Sequence, residues 1–201
     1  MTTLSSIRIL VRRDLKDEDS ANYRWTGDEI DRAIDKALAD YSLYCPLQVK
    51  STLATVSSSN ELDISTLTGR IDVTRVEHPL TGQPYPSRRF SLWGDLLTFL
   101  DGYDGDGGNC QVYWLQRHTL GAASSTVPLP HEHILALGAA AYAISSQSQY
   151  QVDKANTGGR QVDSDYSSWS RDMFTRFYRE LDSVRTYNTK RLKTSYLTPE
   201  D

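Results

Sequence analysis

The segment that most resembles a chemically active motif is His131, Glu132 and His133, in which two imidazoles flank a carboxylate. Imidazole and carboxylate groups are ligands that zinc prefers in proteins. A helical zinc site places its histidines four residues apart, as in His-Glu-x-x-His, whereas residues at i and i+2 point to different sides of a helix. The segment also starts a predicted helix, where the Glu132 carboxylate meets the positive end of the helix dipole. The sequence therefore favours a helix-capping role and leaves a metal-dependent hydrolase as the alternative.

A second candidate is the acidic, glycine-rich stretch Asp101–Gly108, which resembles a calcium-binding loop in composition. An EF-hand loop needs carboxylates at alternate positions, a central glycine and a glutamate at the twelfth position, and this register is absent. A charged hairpin turn is the better interpretation, because charge at a sheet edge prevents pairing with other chains. Weak calcium binding stays an alternative at this loop.

Other signatures of catalysis are absent from the sequence. It has no Gly-x-Ser-x-Gly elbow, no glycine-rich phosphate loop ending in Lys-Ser or Lys-Thr, and no cysteine pair at metal spacing. Cys45 and Cys110 lie far apart along the chain and are interpreted as buried free thiols. Since no motif supports catalysis, we predict a protein that is not an enzyme and that holds no cofactor.

Length and composition narrow the class of protein. The 201 residues, 38% of them hydrophobic, suffice for one core or for a core with a small added module. No segment approaches the roughly 18 apolar residues of a membrane span, and the start lacks a signal-peptide pattern, so we expect a cytoplasmic protein that does not contact membranes. The net charge of −4 argues against a general nucleic-acid binder, which usually carries a basic excess.

The clearest element that must position these residues is a helix over Trp25–Tyr44. Thr26 and Glu29 have the spacing of a capping box, and Trp25 with Ile30 occupies the staple positions beside it. Apolar residues then recur with the helical period along one face. Such a helix cannot bury its apolar stripe alone, so other segments must pack on it.

Three further helices are predicted from the same periodicity. The first covers Leu4–Leu15, and Ile134–Ser148 is so rich in alanine that neighbouring helices can approach it closely. The last starts at Asp163 or Ser164, and Phe174 with Tyr178 widens its apolar face, which suits contact with a neighbouring subunit. Its main apolar stripe consists of Tyr166, Trp169, Met173, Phe177, Leu181 and Val184.

Between the second and third helices, the apolar period changes to the alternation of strands. Val49–Gln116 reads as an antiparallel β module that includes a hairpin with a tight turn at Gly94-Asp95. The end of the chain lacks an apolar pattern and is disordered or ordered by a partner. The predicted fold is α+β, with a helical bundle from residues 1–47 and 128–187, an inserted β module at 48–127 and an extended C-terminal tail at 188–201.

Local patterns resemble the head–tail connector (adaptor) proteins of tailed bacteriophages. Val11–Asp17 followed by Tyr23–Ile34 is similar to their N-terminal helices, in which a short helix precedes an aromatic residue, a capping Ser or Thr, acidic residues and an apolar helix. Phe90–Asp95 and Asn156–Gly159 also resemble stretches of phage proteins from the same neighbourhood of the genome. The β module departs from the smallest adaptors, which are all helical.

The resemblance implies a structural virion protein that forms a homo-oligomeric ring, commonly a dodecamer, docks on the portal and extends the DNA channel to the tail. It implies a place in the virion neck after assembly in the host cytoplasm. The implied partners are the portal protein and tail-side neck or tail proteins, with transient, non-specific contact with genomic DNA. An acidic channel wall suits this role because it repels phosphates.

The last helix and the tail carry a group of basic and aromatic residues. A helix C-terminus favours cations, and an acidic protein surface would suit them as a partner. A small nucleic-acid-binding module that uses this tail is a further alternative. In connector proteins the C-terminal segment often reaches the portal, and the residues that we predict to bind a partner are Arg185, Tyr187, Lys190, Arg191, Lys193, Tyr196 and Leu197.

Overall fold

In a computed structural model, the described ranges of the chain form α-helices and two antiparallel sheets, which confirms the predicted α+β class. Met1–Cys45 and His118–Asp201 form one compact unit, here the helical unit, and Pro46–Arg117 forms a second, here the β unit. The described residues are 2–82, 84–102, 104–155 and 163–192.

The helical unit begins with two capped helices. The Thr26 hydroxyl accepts a hydrogen bond from the Glu29 backbone N–H, and the Glu29 carboxylate accepts one from the Thr26 N–H, so the predicted capping box is confirmed. Thr3 and Ser6 form a second such box at the start of the first helix. The helices are α1 (Leu4–Asp14), α2 (Gly27–Tyr44), α3 (Glu132–Ala155) and α4 (Asp163–Leu192), with a short 3₁₀ helix at Leu129–His131.

The four helices bury their apolar faces in one core, and α3 packs against each of the other three. The small residues of α3 permit this central position, as predicted. At Gly138 an added Cβ atom would lie only 2.5 Å from Cε2 of Phe177, so the absence of a side chain allows α3 and α4 to approach. The apolar stripe of α4 faces this core, as the sequence predicted.

The β unit has a four-stranded sheet in the order β1-β7-β3-β4 and a three-stranded sheet in the order β2-β6-β5. Its core takes residues from both sheets, including Val112 and Leu97. The predicted hairpin is confirmed: Trp93 pairs with Leu96 across the Gly94-Asp95 turn. The strands are β1 (Leu47–Ala54), β2 (Glu61–Asp63), β3 (Arg70–Glu77), β4 (Ser87–Arg88), β5 (Phe90–Trp93), β6 (Leu96–Phe99) and β7 (Asn109–Gln116).

The last helix is longer than its apolar pattern predicted. It continues beyond Tyr187 to Leu192, so the first part of the predicted tail is helical. Neither Gly nor Pro interrupts residues 188–192, and Lys, Arg and Leu are strong helix formers whose cations suit a helix C-terminus. The rest of the predicted tail, residues 193–201, and the predicted loop Asn156–Gly159 lie outside the described residues.

The chain returns to the helical unit at His118, earlier than the predicted boundary at residue 128. The His118 backbone N–H donates a hydrogen bond of 3.0 Å to Oγ of Ser42 near the end of α2. Its ring Nε2 lies 2.9 Å from the Cys45 carbonyl oxygen. These contacts attach residues 118–127 to the helices, although no helical period marks them in the sequence.

Candidate functional site

The three residues of the predicted metal candidate face different surroundings. Glu132 occupies the first turn of α3, so its predicted place at a helix start is confirmed. Its buried Oε1 atom has no hydrogen-bond partner among the described residues. His131 lies at the end of the 3₁₀ helix with Nδ1 2.6 Å from the hydroxyl of Tyr41, while His133 is exposed. The chain therefore does not bring these groups together around a common point.

A buried polar cluster that the sequence did not indicate surrounds Tyr41. Its ring centroid lies 5.1 Å from that of His118 and 5.8 Å from that of His131. Nδ1 of His118 lies 3.0 Å from both the carbonyl and the hydroxyl oxygen of Thr126. Burial lowers the pKa of both imidazoles, which keeps them neutral near pH 7. Because these rings hydrogen-bond to groups of the chain itself, the cluster has a structural role: it holds the end of α2, the 3₁₀ helix and the returning segment together.

Thiol and metal chemistry find little support in the described part of the chain. No three His, Cys, Asp or Glu side chains converge there in a way that could hold a metal ion. The prediction of buried free thiols is confirmed for Cys45 and Cys110. Burial raises the pKa of Cys45 to about 11 and also raises that of Cys110. Both thiols are therefore protonated and weakly nucleophilic at neutral pH.

The acidic stretch at residues 101–108 uses its carboxylates within the β unit. Asp101 Oδ2 accepts a hydrogen bond of 3.1 Å from Nη1 of Arg88. Asp106 Oδ1 accepts one of 2.7 Å from the Gly108 N–H and lies 3.2 Å from Nε2 of His78. These contacts suit a turn that holds neighbouring strands, and they leave the calcium alternative without a supporting observation.

Phe174 and Tyr178, predicted to widen the apolar face of α4, are partly buried against their own helical unit. The ring of Phe174 makes an edge contact with Tyr142 at 4.9 Å between centroids. The hydroxyls of Tyr142 and Tyr178 donate hydrogen bonds of 2.5 and 3.1 Å to Oδ2 of Asp40. Burial, followed by this carboxylate contact, raises the pKa of Tyr142. Phe174 and Tyr178 therefore connect α4 to α3 and α2, and they also line a groove between α3 and α4.

The predicted partner-binding residues are placed only in part. Arg185 and Tyr187 are exposed on α4, Tyr187 with 63% of its surface accessible. Lys190 and Arg191 belong to the backbone of this helix, and their side chains are outside the described part of the structure. Lys193, Tyr196 and Leu197 lie beyond the described residues altogether.

Neither a family model nor a curated protein matches this chain. Across the described ranges, no helix has an apolar stretch long enough to cross a bilayer. Functional inference therefore depends on the surfaces of the chain itself.

The most distinctive surface is the end of the β5–β6 hairpin, residues 93–96, here called the hairpin tip. Trp93 is 86% exposed and its cross-strand neighbour Leu96 is 41% exposed. The strand register places Asp63 of β2 beside Leu96, and Glu61 two residues along the same face. Tryptophan is enriched at protein–protein interfaces, which makes this exposed pair a candidate contact surface.

The hairpin tip is held in place by Arg70 of β3. Its guanidinium donates hydrogen bonds of 2.8 Å to the Gly94 carbonyl, to Oδ1 of Asp95 and to the Ile64 carbonyl. Gly94 has a positive φ of 57°, which glycine adopts without the strain of a side chain. Trp93 is therefore presented from a fixed turn, which lowers the entropy cost of binding through it.

Proposed function

We propose that this protein is a structural connector of a bacteriophage neck, which joins the portal to the tail as a ring of identical subunits. It acts by adhesion between surfaces and has no catalytic turnover. The resemblance of Val11–Asp17 and Tyr23–Ile34 to connector helices supports the proposal. The α+β fold, with an inserted antiparallel β unit, is compatible with a helical adaptor that carries an added module.

The observation that carries the proposal is the exposure of large apolar side chains on both units. Trp93 and Leu96 form a contiguous apolar pair on the β unit, while Leu43 and Tyr187 are 66% and 63% exposed on the helical unit. Exposed aromatic residues of this size are enriched at protein–protein interfaces. A protein that is buried between neighbours in a virion would cover such surfaces.

The charge of the chain is compatible with a channel through which DNA passes. A net charge of −4 disfavours tight, non-specific binding to phosphates. A connector benefits from this because DNA must move past it without being retained. In the proposal, contact with the genome is transient, and the protein reaches the virion neck after assembly in the host cytoplasm.

The test is co-expression with the portal protein of the same virus, followed by purification and light scattering. We expect a stable complex whose mass corresponds to a ring of subunits on the portal. A chain that ends at Leu192 keeps the whole described α4 but lacks Lys193, Tyr196 and Leu197, and we expect it to lose portal binding. Thr198→Ala in the full chain is the matched control and should bind normally.

Failure to bind the portal at low and physiological salt would contradict the connector proposal. If the shortened chain binds the portal fully, the predicted role of the C-terminal residues is wrong, but the connector proposal itself is unaffected. Salt-sensitive binding of free duplex DNA by the full chain, lost in the shortened chain, would instead favour a nucleic-acid-binding module.

A further inference from the structure

A groove on the helical unit has the properties of a receptor for an aromatic side chain. It lies between α3 and α4, encloses about 500 Å³ and is lined by Arg171, Phe174, Thr175 and Tyr178 together with Ser145 of α3. The rings of Phe174 and Tyr178 are stacked, with centroids 6.2 Å apart and an angle of 18° between them. Aromatic floors of this kind bind other rings, and the serine hydroxyl can accept the N–H of an indole.

A cationic side chain lies at the edge of the groove. Arg171 is exposed at its edge and forms no ion pair within the described ranges. Nζ of Lys36 lies 5.6 Å from the centroid of the Tyr142 ring, and that ring makes an edge contact with Phe174. The nearby carboxylate of Asp40 is already engaged by the hydroxyls of Tyr142 and Tyr178. A guanidinium beside stacked rings can also bind an incoming aromatic face by a cation–π contact.

The hairpin tip has the complementary properties. Trp93 projects into solvent from a fixed turn, and the carboxylates of Glu61 and Asp63 lie on the same sheet face. Neither carboxylate forms an ion pair with any other described residue. The tip therefore offers an indole and two carboxylates on one face, whereas the groove offers aromatic rings with the Arg171 guanidinium at their edge.

We propose that copies of this protein join head to tail by inserting Trp93 of one copy into the α3–α4 groove of the next. Stacking on Phe174 and Tyr178 anchors the indole, and Arg171 attracts Glu61 and Asp63 of the incoming copy. A contact between two different surfaces leaves each copy with one unused tip and one unused groove, so it propagates until a ring closes. The inference rests on the proposed function, because it specifies the contact that builds the connector ring.

The test measures the mass of purified variants by analytical ultracentrifugation, alone and in the presence of the portal protein. Trp93→Ala should weaken association between copies by about 30-fold or more, as loss of a central aromatic anchor does. Arg171→Glu should weaken it by about tenfold or more, since it places like charges opposite each other. Both side chains are exposed, so both variants should retain the wild-type melting temperature.

An equal mixture of the two variants makes the test specific for a head-to-tail contact. At a concentration at which the wild type assembles and neither variant alone does, the mixture should form dimers through the intact tip of Arg171→Glu and the intact groove of Trp93→Ala. Ile9→Ala and Arg32→Glu, which change an exposed apolar residue of α1 and an exposed cationic residue of α2, are the controls and should assemble like the wild type.

Three results would overturn this inference: unchanged assembly of Trp93→Ala, a mixture that stays monomeric, or a wild-type chain that remains monomeric both alone and on the portal. Binding of such a monomer to the portal would leave the connector function in place and remove only the proposed subunit contact. Assembly that depends on Trp93, in a protein that does not bind the portal, would support the subunit contact and contradict the connector function.

Discussion

Replacement of Gly138 by alanine would place a methyl group where α3 and α4 are closest. The added Cβ would lie 2.5 to 2.9 Å from three atoms of the Phe177 ring, whereas ordinary van der Waals contact begins at 3.4 Å. Phe177 is fully buried, so its ring cannot swing into solvent. Overpacking of this kind costs about 1–3 kcal/mol. Alanine recovers roughly 1 kcal/mol of helix propensity, and we expect a net loss of about 1 kcal/mol in unfolding free energy.

Equilibrium unfolding in urea, followed by circular dichroism, measures this loss. The expected coupling is specific: in a Phe177→Leu background the smaller side chain makes room, and Gly138→Ala should then be neutral or stabilising. Gly27→Ala is the matched control, because its added Cβ in the first turn of α2 would meet no atom within 4 Å beyond the local backbone of its own helix. It should stabilise by about 0.4–1 kcal/mol. Equal stabilisation by Gly138→Ala and Gly27→Ala would refute the inferred helix approach.

Two further predictions concern buried polar groups. Asp17 forms an ion pair of 2.7 Å with Arg12, and its side chain is only 2% exposed. Asp17→Ala leaves the Arg12 charge without this partner, so the unfolding free energy should fall by about 3–5 kcal/mol. Glu18→Ala is the exposed acidic control and should change the unfolding free energy by less than about 0.5 kcal/mol. Burial lowers the folded-state pKa of His118 and His131, so the unfolded chain binds protons first and stability should decline as pH falls below about 6.5. Urea unfolding at several pH values should show a smaller fall in unfolding free energy with pH for His118→Gln than for the wild type. Equal pH dependence in the two proteins would contradict a contribution from His118.

The helices were predictable because their signals are local. The capping box of Thr26 and Glu29 spans one helical turn, and the stripes of α2 and α4 repeat at a fixed period. Asp17 was not predictable in the same way. Its carboxylate accepts hydrogen bonds from the backbone N–H groups of Arg24 and Trp25, and a single polar residue that fixes a connector leaves no periodic pattern.

The candidate surfaces were only partly predictable. Alternation located the β5–β6 hairpin, but the pattern alone does not reveal which face turns outward. Trp93 is exposed although tryptophan is on average highly buried. The cluster of Tyr41, His118 and His131 joins residues that are far apart along the chain. Such an arrangement depends on how the helices and the returning segment pack, and no spacing in the sequence encodes it.

The bonds of His118 to Ser42 and Cys45 have a consequence for how this chain tolerates change. They bring the two points at which the β unit leaves and rejoins the helical unit next to each other. A short glycine-containing link could then replace residues 46–117 without pulling α2 away from α3, because a short loop spans adjacent ends at little entropic cost. The β unit is thus inserted at a point where it can be lengthened, shortened or replaced while the helices keep their packing.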